Sequence, residues 1–297
     1  MSNGLYYAVD FRFKKSLGQN FIFDEGLLTA VVSKLGLDKS DTVLEVGTGA
    51  GTLTTVLAKH AGRVITFEID NRLAPTLTQR FSQSGAFPPT PPLTSQKTTD
   101  KNNITLIFAD IMKTPDDELC RLTNGEPFKL IANIPYYITS PLLLRFIRNP
   151  ACREICVLVQ EEVAKRIIAK PGGKDYGALS VTMQTAADCT LIKRVPRTVF
   201  VPQPQVDSAF IKCKMQSAKR NITDIALFDK LAKAMFAARR KTVLNALCTC
   251  FPMLARQTAS GILSSLHISE TVRPETLLPD QFISLANEMA KPEQFRQ

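Results

Sequence analysis

Apolar residues follow two rhythms along this chain. Short continuous runs occur at 42–46 (TVLEV), 63–67 (RVITF), 104–108 (ITLIF), 128–132 (FKLIA) and 155–159 (ICVLV), each with the length and β-branched content of a buried strand. Helical stretches separate them, one reaching about residue 60 and another running from about Asn71 to Ser82. Alternating strand and helix predicts an α/β domain with a parallel sheet. A helix around Ala178 to Ala187 and strands near 190–195 and 209–214 extend it, so the first domain is expected over 1–217. The polar run Gln216 to Asp224 reads as a linker. Beyond it the spacing of Phe228, Leu231, Ala232, Met235 and Phe236, then Val243, Leu244 and Leu247, then Phe282, Leu285, Ala286 and Met289, is helical. A small all-α domain is expected over 218–297. From Gln83 to Asn103 neither rhythm holds, and PPTPP at 88–92 suits an exposed loop.

Composition narrows the class. With 297 residues, 44% hydrophobic and 22% charged, the chain is long enough for a core and is neither a disulfide-stapled scaffold nor a disordered segment. No run approaches the ~18 uninterrupted apolar residues of a membrane span, and no basic-then-apolar leader or presequence pattern opens it; a cytoplasmic protein is expected. The seven cysteines are odd in number and set among apolar residues, which fits reduced core thiols. Neither close pair, Cys152 with Cys156 or Cys248 with Cys250, makes CxxC, and the two histidines, His60 and His267, complete no zinc set. No metal is expected. His60 fits the surface end of a helix. The formal charge of +10 is uneven: residues 1–144 hold 14 basic and 14 acidic residues, and 145–297 hold 23 and 13. A polyanion is the expected partner of the second half, and without a basic amphipathic anchor the membrane is the weaker choice.

Candidate chemistry sits at the strand ends. The first strand runs into Gly47, Thr48, Gly49, Ala50, Gly51, whose glycines let backbone approach a ligand closely at the carboxyl edge of an open sheet. Thr52 stands where a dinucleotide fingerprint has its third glycine. Glu68 closes the second strand as an acceptor for ribose hydroxyls, and Asp110 follows the third as an acceptor for an exocyclic amine; together they describe a nucleoside crevice. After the fourth strand come Asn133, Ile134, Pro135 and Tyr136. Pro135 fixes its own φ and holds Ile134 extended. The Asn133 oxygen and a nearby carbonyl then offer two acceptors to one NH2 group. Adenine N6 is a poor nucleophile because its lone pair is delocalised, and two acceptors favour a more pyramidal nitrogen. Tyr136 offers a face for a base to stack on.

These segments, with others, carry a resemblance to a known family. KKSLGQNFIFD at 14–24, EVGTGAGTLT at 45–54, FEID at 67–70, NIPYYITSPLL at 133–143, FVPQPQVDSAF at 200–210 and FAARRKTVLNAL at 236–247 resemble, in order and spacing, the small-subunit (16S) ribosomal RNA adenine N6,N6-dimethyltransferases. The resemblance implies a Rossmann-like, S-adenosylmethionine-dependent methyltransferase domain followed by a helical RNA-binding domain. It also implies dimethylation of two adjacent adenines in a small-subunit rRNA hairpin during ribosome biogenesis, by a monomer acting on the pre-30S particle. Position by position it implies a cofactor site of Asn20, Ile22, Gly47, Glu68, Asp110 and Asn133. Asn133 would also orient the amine, with Pro135, with Tyr136 stacking the base, and with Phe200 as a second aromatic wall. The chain departs from the family pattern at Ile134, where Leu is commoner, and at Thr48, where Pro is common; the loop at 83–103 is longer than is typical.

RNA is therefore the expected partner. The candidate footprint is Arg239, Arg240 and Lys241 with Lys193, Arg194, Arg197, Lys219, Arg220, Arg12, Lys14 and Lys15. Three consecutive helical residues span ~200° of a helix surface, so at most two of the 239–241 set can face one groove. The rival readings are the related branch that methylates large-subunit rRNA, a non-catalytic RNA-binding assembly factor, and a nicotinamide dehydrogenase.

Overall fold

The computed structural model describes residues 18–83, 103–216 and 221–291. They group into two units: one takes the described residues up to 164 together with 190–214, the other takes 165–189 together with the described residues from 215 on. The sequence placed a single boundary after residue 217. Residues 165–189 join the helical unit because Tyr176 and Val181 are buried in one apolar cluster with Phe228, Leu231, Met235 and Phe282.

The first unit is built on a seven-stranded sheet. Its strands are β2 (Thr42–Val46), β3 (Arg63–Glu68), β4 (Ile104–Phe108), β5 (Phe128–Asn133), β6 (Cys152–Gln160), β7 (Ala187–Val195) and β9 (Ser208–Met215), in the order β4-β3-β2-β5-β6-β9-β7. A separate antiparallel pair joins β1 (Phe21–Ile22) to β8 (Phe200–Val201). From β4 across to β6 every pairing is parallel. β2 is buried over its last four residues, as expected for a strand covered on both faces. The sheet is not parallel throughout: β9 runs antiparallel to β6.

Helices α1 (Glu25–Val32), α2 (Thr52–His60), α3 (Ala74–Gln83), α4 (Asp116–Leu122) and α5 (Thr139–Phe146) accompany the parallel strands, and α6 (Glu161–Ile167) follows β6. Asp24 starts α1 by accepting from Leu27 N at 2.8 Å. The helix expected from Asn71 opens as a 3-10 turn over Asn71–Leu73, capped by Asp70, before α3 begins. His60 ends α2, with Nδ1 3.0 Å from Val56 O. The chain fills one side of the sheet from β2 out to β4 and then returns to place β5 on the other side of β2. That reversal leaves a crevice at the carboxyl ends of β2 and β5.

The helical unit contains α7 (Ala178–Gln184), α8 (Ile225–Ala237), α9 (Val243–Cys250), α10 (Arg256–Ser265) and α11 (Pro279–Met289). Asp224 and Thr242 cap α8 and α9. The periodic residues of the sequence form its core, and Phe236 stacks on Phe282 at 5.7 Å. The buried Tyr176 hydroxyl donates to Leu277 O at 2.9 Å. Cys152, Cys156 and Cys213 are core residues as expected, whereas Cys120 is exposed on α4, whose buried residue is Leu119. Among the described residues no helix is long and apolar enough to cross a membrane.

Candidate active site

The residues that follow β2, β3, β4 and β5, together with 18–22, line a cavity of about 230 Å³ in the first unit. Its floor is the glycine loop. Gly47 N donates to Phe67 O at 2.8 Å, which locks the end of β2 to β3. Gly47 has φ +82°, and a Cβ there would lie 3.3 Å from Asn133 O. A side chain at 47 would thus be strained and would wedge β2 from β5. At Gly49, φ +55°, a Cβ would lie 3.2 Å from the Phe21 ring, so backbone lies bare against the cavity's apolar wall.

Two carboxylates hold the edges. Glu68 accepts from Gly49 N through Oε2 and from Asp70 N through Oε1, both at 2.8 Å. Burial raises its carboxyl above the ordinary carboxylate value, and these backbone donors oppose the shift. Asp110 accepts from Met112 N at 2.9 Å through Oδ1; its Oδ2 has no partner among the described residues. The loop behind Asp110 is fastened by Arg145 of α5, which donates to Ile111 O and Thr114 O and pairs with Asp116 at 2.7 Å.

Asn133 stands at the end of β5. Its Nδ2 donates to Asn20 O at 3.0 Å, and Asn20 Nδ2 donates to Gly18 O at 3.1 Å. That donation fixes the Asn133 amide, whose Oδ1 has no partner among the described residues and is left as an acceptor in the cavity lining. Pro135, φ −57°, turns the chain into a 3-10 turn over Tyr136–Ile138. The Tyr136 hydroxyl meets Ser208 Oγ at 2.7 Å, tethering the ring to β9, and burial raises its phenol further above neutrality.

Asn20, Ile22, Gly47, Glu68, Asp110 and Asn133 therefore all line one cavity, as do Pro135 and Tyr136. Phe200 does not join them. It sits opposite Ile22 in the β1–β8 pair, only 3% exposed, and its ring is part of the unit's apolar core. Of the basic set, Arg239 is committed to its own unit: its guanidinium pairs with Glu275 and donates to Lys174 O at 3.0 Å and Gly173 O at 3.2 Å. Lys241 is exposed with Nζ on Thr249 Oγ1 at 2.9 Å, and Arg240 is exposed. On the first unit Lys193 and Arg194 lie on β7, with Arg194 3.4 Å from Glu161, and exposed Arg197 donates to Gln205 O at 3.2 Å. Arg12, Lys14, Lys15, Lys219 and Arg220, and all but the ends of the 83–103 loop, lie outside the described residues.

The structure gives three residues of the quoted motifs a setting that the sequence did not assign them. Thr52, first residue of α2, lines the cavity at 3% exposure, and its Oγ1 has no hydrogen-bond partner among the described residues. Glu45 lies fully buried under the loop, bonded by Thr54 Oγ1 at 2.6 Å, with burial pushing its carboxyl up to about 8. Asp70 clasps the 18–22 segment to β3: it accepts from Gln19 Nε2 at 2.8 Å and from Arg72 Nε at 2.8 Å and Nη2 at 2.6 Å, and that guanidinium holds its carboxyl at about 2. The FEID motif carried Asp70, but only the fold reveals Gln19 beside it. Among the described residues no His, Cys, Asp and Glu cluster is placed to hold a metal ion.

The site suits a nucleoside ligand. Bare glycine backbone, two edge carboxylates and an orphaned hydroxyl at a helix N-terminus are the donor and acceptor set that such a molecule needs.

The family profile described as ribosomal RNA adenine dimethylase matches residues 10–291. Ribosomal RNA small subunit methyltransferase A of Enterococcus faecalis is 39% identical over 291 residues, covering 95% of this chain and 92% of that protein. The protein of the same name from Clostridioides difficile is 37% identical, covering 94% and 91%. Among solved structures, a dimethyladenosine transferase from Plasmodium falciparum superposes with a TM-score of 0.74 at 25% identity, covering 91% of this chain and 97% of that one. The 23S rRNA methyltransferase ErmE shares the fold, with a TM-score of 0.64 at 23% identity and coverage of 92% and 100%.

Proposed function

The chain belongs to the ribosomal RNA adenine dimethylase family, and on that premise we propose that it uses S-adenosylmethionine to dimethylate N6 of two adjacent adenines in the 3′-terminal hairpin of small-subunit rRNA. It does so as a monomer acting on the pre-30S particle in the cytoplasm. The observation that carries this reading is the free Oδ1 of Asn133, fixed by the Asn20 contact, in the same cavity as Glu68 and Asp110.

Glu68 and Asp110 would hold the cofactor's ribose and adenine, with Asn20, Ile22 and Gly47 shaping its bed. When bound, S-adenosylmethionine supplies an electrophilic sulfonium methyl. The target adenine leaves its stack and enters the cavity. Asn133 Oδ1 accepts from its N6 amine, holding one hydrogen so that the nitrogen lone pair turns toward the methyl in line. Tyr136, tethered by Ser208, presents a ring face to the base. The buried apolar lining, with Ile22 and Ile111, excludes water. The neutral amine would be the nucleophile: its new N–C bond would form as the sulfonium S–C bond breaks to a neutral thioether, and the methylated nitrogen would then lose its proton to solvent, so no strong side-chain base is needed.

The test incubates the protein with labelled S-adenosylmethionine and unmodified small or large ribosomal subunits, then digests the RNA for N6,N6-dimethyladenosine. Label in small-subunit RNA is expected; label confined to large-subunit RNA would replace the substrate proposed here. Asn133→Ala should abolish methylation while cofactor binding largely persists, and unchanged turnover would remove Asn133 from its role.

A further inference from the structure

We propose that Tyr137, which the family resemblance assigns no role, is the stacking platform for the unpaired nucleobase next to the target adenine; this rests on the RNA-modifying reading above. Tyr136 and Tyr137 share one 3-10 turn, in which successive side chains diverge by about 120°. Tyr136 is turned to β9 and tethered there. Tyr137 takes the other direction, lines the cavity, and is 59% exposed. Its ring edge is braced by bare backbone: a Cβ on Gly18, φ +58°, would come within 3.3 Å of Tyr137 Cδ1. The hydroxyl has no partner among the described residues. Ile69, 49% exposed, is another exposed large apolar side chain on the same lining.

An aromatic ring held in place with so much of its surface in water is of little use to the core, since Tyr137 is not among the buried residues. It is suited to a flat, sequence-tolerant π-surface. A nucleotide that enters the cavity remains tied through its phosphate to a neighbour, which must lie at the mouth. Phe200, the expected second aromatic, is buried in the core, so Tyr137 supplies the exposed aromatic surface of this cavity.

The experiment compares wild type, Tyr137→Phe and Tyr137→Leu in steady-state methylation of unmethylated small ribosomal subunits, with calorimetric S-adenosylmethionine binding alongside. Tyr137→Leu should raise KM for the subunit by about tenfold. Its kcat and cofactor affinity should stay near wild type, and Tyr137→Phe should restore KM. Binding of a labelled oligoadenylate, read by anisotropy, should weaken in the same order and needs no turnover. A Leu variant with wild-type KM and oligoadenylate affinity would overturn the proposal. So would equal losses in Phe and Leu, which would put the hydroxyl in place of the ring, or a matching fall in cofactor affinity. Failure of wild type to label small-subunit RNA would instead count against the proposed substrate, and the oligoadenylate comparison would still decide the role of Tyr137.

Discussion

Single residues in this site are polarised by what they lack as much as by what they bond. Thr52 keeps a buried hydroxyl without a partner at the cavity wall, a cost that folding alone does not require. Thr52→Val should raise the stability of the cofactor-free protein by about 1 kcal/mol. If the hydroxyl serves the cofactor, the same change weakens S-adenosylmethionine binding about fivefold, as calorimetry would show. Glu45 gives a pH signature. Its carboxyl titrates at about 8 in the fold, against an ordinary value of 4.5, so the folded form retains a proton that the unfolded chain has lost. Stability is then greatest below about 4.5 and declines as pH rises toward 8. Thermal melts from pH 5 to 8 should show that decline, reduced in Glu45→Gln; the raised Glu68 adds a part of the same sign that remains. Asp70 works in the opposite direction: its contribution is present above the ordinary value of 3.8 and is lost as pH falls toward about 2. The glycine loop and Asn133 were legible in the sequence because their chemistry is local. The burial of Thr52 and Glu45 was not, since the burial of a polar group is a property of its surroundings.

At the level of elements, the strand and helix alternation predicted the parallel part of the sheet, where each strand is a short apolar run between turns. The antiparallel β9 and the small β1–β8 pair escaped, because pairing partners distant in sequence leave no periodic mark. Phe200 lies in that pair opposite Ile22 and belongs to the apolar core. The turn between α8 and α9 shows a similar division. The sequence takes 239–241 as helical, with at most two facing one groove; they lie in a turn, where the fold spends Arg239 on Glu275, Gly173 and Lys174 and leaves Arg240 and Lys241 at the surface. Arg239→Ala should lower stability by about 1–2 kcal/mol, since it strands a carboxylate and two carbonyls, discounted for partial exposure. Arg240→Ala should leave the melting temperature almost unchanged while weakening RNA binding. Denaturant melts beside filter binding would separate the two.

For the whole molecule, charge and chemistry are partitioned along the chain. Residues 1–144, which hold every residue of the cavity lining, are formally neutral, and residues 145–297 carry the entire excess of +10. RNA affinity should therefore fall steeply with salt, with the log–log slope reduced by about one for each phosphate-contacting cation removed, whereas S-adenosylmethionine affinity should vary little. A salt-independent RNA affinity would remove the basic half from the interface.

The sequence by itself determined the α/β and all-α classes, the order of the strand ends, and the residue types that gather at them. Those follow from periodicity, from glycine conformations and from motifs that each span a few neighbouring residues. Only the tertiary structure decided that Gln19 reaches Asp70, that Asn20 orients Asn133, that residues 165–189 pack with the C-terminal helices, and that Phe200 is core while Tyr137 is exposed. Those outcomes depend on which surfaces are excluded from water, and exclusion is set by residues far apart in the chain.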